Sequence, residues 1–127
     1  MCTASKENKA GLIFATYAKI LARLPRTYPR PELTVYSSYD AMCQTYSLDV
    51  GDGRTCLGAT VPELGIILAP LDEIGDTADD IALVLLHELA HLWALHRYGP
   101  DCPQYHDEEW CDKWAARWWR RMQDETA

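Results

Sequence analysis

The stretch that decides the reading is Asp76-Thr77-Ala78-Asp79-Asp80-Ile81-Ala82-Leu83-Val84-Leu85-Leu86-His87-Glu88-Leu89-Ala90-His91-Leu92-Trp93-Ala94-Leu95-His96-Arg97-Tyr98-Gly99-Pro100. Asp76 or Thr77 can cap a helix, and Asp79 and Asp80 suit its first turn, where carboxylates meet the positive end of the macrodipole. Apolar residues then fall on nearly every side, which predicts a helix buried in the middle of a domain. Gly99-Pro100 ends it, with glycine just past the last turn and proline beyond.

Inside that helix stands His87-Glu88-Leu89-Ala90-His91. Residues four apart share a helix face, one turn above another, so both imidazoles can converge on one metal ion while Glu88 lies beside them. Three polar side chains within five residues of a buried helix are costly without partners, and ligation removes that cost for the histidines. The competing reading is two core histidines bonded to backbone or carboxylate groups. The pattern favours a catalytic zinc ion, Zn2+, with Glu88 as general base in hydrolysis of a peptide bond.

A catalytic zinc site takes three protein ligands and keeps one position open. His96 lies about 140° around the helix from His91 and would have to leave it to reach the ion. Gly99-Pro100 reverses the chain, however, so a returning helix starts near His106, which can point back at His87 and His91. Glu108 and Glu109 compete for the same role; Glu108 has Asp112 one turn later. His106 is favoured as the third metal ligand. The carboxylates not used, with Asp107, can orient ligand imidazoles through hydrogen bonds. Cys102, His106 and Cys111 could form a structural zinc knuckle, but a fourth ligand and a C-x-x-C pair are missing.

The rest of the chain fits one domain over residues 1–127. Ile13, Tyr17, Ile20 and Leu24 recur at helical spacing between about Ser5 and Leu24, and Pro25, Pro29 and Pro31 stop that helix. Short strands are predicted at Leu33 to Tyr36, Gln44 to Leu48, Cys56 to Thr60 and Gly65 to Ala69. A final helix, roughly Asp107 to Met122, carries Trp110, Trp114 and Trp118 at four-residue spacing, read as packing against the buried helix. The predicted fold class is α+β: an N-terminal helix, a small mostly antiparallel sheet, the buried metal-site helix and a C-terminal helix.

Net charge is −7, which gives no footprint for nucleic acid. Lys113, Arg117, Arg120 and Arg121 gather near the end of the last helix, where cations complement the dipole. Five cysteines, scattered and without C-x-x-C, argue against a disulfide framework. With no signal-peptide pattern and no apolar run of ~20 residues, the expectation is an intracellular, cytoplasmic protein without a membrane partner.

Leu86-His87-Glu88-Leu89-Ala90-His91 followed by His106-Asp107-Glu108-Glu109-Trp110 resembles the SprT-like (Spartan-type) zinc metallopeptidases. These carry the same motif, a third histidine about this far downstream and an aromatic residue four positions later. Gly58 to Leu71 also looks like the family's last strand before the active-site helix. The resemblance covers about Leu33 to Trp118 and implies a zincin-like fold, protein or peptide substrates, and His106 as third ligand. Asp107 stands where the family usually has glycine. Tyr98, Tyr105 and Arg97 are nominated as donors to the developing oxyanion, and the strand at Ile66 to Leu68 as a docking edge for an extended substrate. The alternative function is a zinc-stabilised interaction module of viral or mobile-element type with little protease activity.

Overall fold

A computed structural model describes residues 6–46, 58–61 and 66–126. In chain order the elements are helix α1 (Lys6–Arg23), strand β1 (Glu32–Tyr36), helix α2 (Tyr39–Tyr46), strands β2 (Ala59–Val61) and β3 (Ile66–Pro70), helix α3 (Ala78–Tyr98), a 3₁₀ turn (Pro103–His106) and helix α4 (Glu108–Thr126). Helices and a small sheet thus share one chain, an α+β composition.

α3 is the central element and packs against α1, α4 and the sheet. Its start is fixed locally: Thr77 Oγ1 accepts the Asp80 N–H at 3.1 Å, an N-cap that satisfies one of the orphan donors of the first turn. Ile81, Leu85 and Leu86 are fully buried, and burial of each contributes about 1.5–3 kcal/mol. The helix ends at Gly99, whose φ of 94° lies where glycine is favoured and whose N–H bonds the Leu95 carbonyl at 3.0 Å. α1 buries Ile13, Tyr17 and Ile20, and Leu24 just past its end, in a core shared with this helix and the sheet. Its last carbonyls are held by Arg30, which donates to Leu21 O at 2.8 Å and Leu24 O at 3.1 Å.

The sheet departs from the mostly antiparallel expectation. Strand order is β1-β3-β2; β1 and β3 run parallel over five paired positions, from Glu32↔Ile66 to Tyr36↔Pro70, and β2 and β3 run antiparallel over three. A parallel pair needs a long crossover, and α2 and β2 lie between β1 and β3 in the chain. That same helix replaces the strand expected at Gln44 to Leu48: residues 44–46 are helical, and 47–48 lie outside the described residues. The reason is local capping. Ser38 Oγ accepts the Ala41 N–H at 3.1 Å, the Asp72 carboxylate accepts the Tyr39 N–H at 2.9 Å, and Met42 is fully buried. The strand expected from Cys56 to Thr60 is β2, shifted to Ala59–Val61; Cys56 and Leu57 lie outside the described residues.

The tryptophan stripe of α4 divides. Trp114 is buried with Cys111, Ala115, Trp119 and Met122, whereas Trp110 and Trp118 are only half-buried. These two line a separate cavity of about 390 Å³ with Tyr28, Trp93 and Tyr98, and Lys113, Arg117 and Arg121 also line it. Trp119 Nε1 and Gln123 Nε2 donate to Asp79 Oδ1 at 2.8 and 3.1 Å, tying α4 to the first turn of α3.

Candidate metal centre

His87 and His91 sit one turn apart on α3, with side chains only 15% and 12% exposed. Their Nε2 atoms face each other at 3.3 Å. The other ring nitrogen of each is occupied. His91 Nδ1 lies 2.6 Å from the Tyr105 carbonyl oxygen, and His87 Nδ1 lies 2.7 Å from Asp112 Oδ1. A carbonyl can only accept, so the Tyr105 oxygen takes its hydrogen bond from His91 Nδ1. His87 has a carboxylate at each ring nitrogen, Asp112 at Nδ1 and Glu108 at Nε2, so its Nε2 is open to an ion when the ring is neutral with its proton on the Asp112 side. In the neutral rings both Nε2 lone pairs therefore point at one spot.

Glu108, the first residue of α4, brings its carboxylate to that spot. Oε2 is 2.6 Å from His87 Nε2 and Oε1 is 3.4 Å from His91 Nε2. One donor atom from each of His87, His91 and Glu108 lies within 4.8 Å of the others, close enough to hold a metal ion. Two lone pairs and an anionic carboxylate converging without a proton or cation between them repel. The donor set therefore fits a cation, and each ligand imidazole has the supporting hydrogen bond that metal-bound histidines require.

Glu88 projects beside the pair and is buried. Thr60 Oγ1, from β2, donates to Glu88 Oε1 at 2.8 Å and lies 3.2 Å from the Glu88 carbonyl oxygen. Burial raises the Glu88 pKa above its ordinary value, against the opposing pull of the histidines and the Thr60 hydrogen bond. Burial works to lower the His87 pKa, but the Glu88, Glu108 and Asp112 carboxylates together outweigh it and leave that pKa raised. The residues open onto a cleft of about 930 Å³, walled by α3, β2, the 3₁₀ turn and the start of α4.

His106, the third ligand favoured from the sequence, is not brought into this donor set; Glu108 is. His106 is exposed at the cleft wall, its ring edge-on to Tyr105 with centroids 4.9 Å apart. The 3₁₀ turn, closed by the Asp107 N–H to Gln104 O at 3.1 Å, spends its inward contact on the Tyr105 carbonyl instead. Glu109 pairs with Lys113 one turn on, at 3.0 Å. Asp107 is a cap rather than a support for the histidines, its Oδ1 accepting the Trp110 N–H at 3.0 Å. The Cys102 and Cys111 thiols donate to the Ala94 and Gln104 carbonyls, at 3.5 and 3.9 Å, and form no metal-holding group with His106 among the described residues. His96 is exposed beside Trp93. Arg97 lies over the Tyr98 ring and neither lines the cleft, whereas Tyr105 does.

Asp112 supports His87 where the sequence reading gave it no role of its own; its position one turn after Glu108 was the available signal. Thr60 gave none, since only the fold brings β2 against α3. Comparison with family models, with curated proteins and with solved structures found no match. No helix among the described residues is long and apolar enough to cross a membrane.

Proposed function

We propose that the chain is a zinc-dependent metallopeptidase of SprT-like, zincin-like type, acting on protein or peptide substrates. His87, His91 and Glu108 hold the ion and Glu88 is the general base. The observation that carries this reading is the pair of Nε2 atoms turned to each other beside a carboxylate, with both Nδ1 positions tied down. A glutamate takes the place first given to His106. Two imidazoles and a carboxylate are a known ligand set of catalytic zinc.

A zinc ion bound there would polarise the scissile carbonyl and lower the pKa of water. Glu88 is placed to take a proton from water and return it to the leaving amine, and its raised pKa suits both steps. The Thr60 hydroxyl orients the Glu88 carboxylate. Tyr105 is the nominated donor to the developing oxyanion. Ile66 to Leu68 cannot dock a substrate strand, because β3 is paired on both sides. β2, paired on one side among the described residues, takes that part. The scattered cysteines favour a reducing, intracellular setting.

The test is Glu88→Gln in the 127-residue chain. Purified protein is expected to carry about one zinc per chain, as a single catalytic site requires. Its cleavage of a fluorophore-labelled denatured casein should fall roughly 10²–10⁴-fold in the variant, with zinc content unchanged. A zinc-loaded native protein that cuts nothing would instead favour an interaction module stabilised by the ion.

A further inference from the structure

Beyond the metal ligands and Glu88, the cleft runs along α3 towards its N-terminus, where Gly75, Asp80, Leu83 and Val84 line it. We propose that this end is a subsite for a lysine or arginine side chain of the substrate, with Asp80 determining that specificity. The proposal rests on the peptidase reading above.

Asp80, Leu83, Val84 and His87 follow one another at three- and four-residue steps along one side of α3. His87 is seven positions beyond Asp80, roughly 10 Å along the helix axis. A lysine stem reaches roughly 6 Å from Cα to Nζ on bonds near 1.5 Å, and an extended substrate advances about 3.3 Å per residue. A cationic side chain within two residues of the scissile bond therefore reaches Asp80.

The lining matches such a side chain in two parts. Leu83 is 37% exposed and Val84 half-buried, apolar wall for a methylene stem. Asp80 is exposed at the end, an acceptor for an ammonium or guanidinium. Gly75 makes room for it: a Cβ at that position would lie 2.3 Å from Asp80 Oδ2. The loop bearing Gly75 is held by Lys9, whose Nζ donates to the Leu71 and Ile74 carbonyls and pairs with Asp76 at 3.0 Å. The neighbouring acid differs, since Asp79 is taken by Trp119 and Gln123. Four carboxylates line the cleft (Asp80, Glu88, Glu108 and Asp112) and no lysine or arginine does among the described residues. A doubly charged ion offsets only part of that charge.

Two readouts test the assignment. In the first, cut sites of denatured casein produced by zinc-loaded native protein are mapped by mass spectrometry. Lysine and arginine should be enriched within two residues of the cuts, by about fivefold or more. Asp80→Asn should abolish the enrichment and Asp80→Lys should turn it towards glutamate, with zinc content retained in both. In the second, zinc-loaded Glu88→Gln protein is titrated with end-blocked peptides differing only in lysine, norleucine or glutamate at one position. Binding should rank in that order, and 0.5 M salt should narrow the gap. Cutting without enrichment, or enrichment unchanged in Asp80→Asn, overturns the subsite and leaves the peptidase standing. Lysine-dependent binding that needs Asp80, without any cutting, does the reverse. Neither cutting nor lysine-dependent binding removes both.

Discussion

The Tyr105 carbonyl holds the His91 proton on Nδ1, and Asp112 competes with Glu108 for the His87 proton, drawing it to Nδ1 and freeing the Nε2 lone pair for an ion. Asp112→Ala should therefore weaken zinc binding roughly 10–100-fold, the usual cost of losing such a support. His106→Ala should leave zinc retention near native, because that ring stands outside the donor set; competitive chelator titration measures both. The sequence alone led to His87, Glu88 and His91, since their spacing on a helix fixes their geometry. It could not separate His106 from Glu108, because that choice turns on which way a four-residue 3₁₀ turn faces. The same residues set a pH dependence. In metal-free protein His87 and Glu88 both have raised pKa values, so folding favours their protonated forms. Their stabilising contribution is complete below the unfolded values, 6.5 and 4.5, and is lost as pH rises through the higher folded values. Thermal melts of metal-free protein should show Tm falling with rising pH across that window. Zinc-loaded protein should lose stability in the opposite direction, on acidification, because ligation needs deprotonated donors.

α3 can carry a costly polar trio because its ends are closed and its apolar faces are covered. Thr77→Ala removes the N-cap and should cost about 1 kcal/mol, measured as a lower denaturation midpoint with unchanged slope. α3 is legible because its cap, its buried faces and its glycine stop are all encoded in neighbouring residues, and apolar spacing marks α1 and α4. The sheet could not be read so well. Whether β1 and β3 pair parallel depends on the path of residues 37–65, and apolar alternation in a short strand says nothing about its partner's direction. The strand expected at Gln44 to Leu48 gives way to helix at residues 44–46: Thr45 and Tyr46 have β-favouring side chains, but the caps of α2 come from Ser38 and from Asp72, more than thirty positions away. The division of the tryptophans on α4 was hidden for a related reason. Four-residue spacing gives a shared face, but Tyr28 and Trp93 determine how deeply that face is covered.

Across the molecule, the candidate donors come from two helices: His87 and His91 from α3, and Glu108, with Asp112 behind, from α4. A cation bound between them would join the two and couple occupancy of the centre to closure of the α3–α4 seam. Cys111 sits in that seam, fully buried, between Glu108 and Asp112 in sequence. Burial, then the carboxylates of Glu108, Glu88, Asp107 and Asp112, push its thiol pKa up to about 12. The thiolate is the nucleophile that attacks alkylating reagents, so Cys111 is shielded chemically as well as sterically while the helices stay together. Its alkylation rate, followed by peptide mass spectrometry, then gauges how often the helices part. Free zinc at a hundredfold excess over its dissociation constant should slow that rate by about a hundredfold if the parted state binds no zinc. A single sulfur atom thus works as a tell-tale for a metal it never touches.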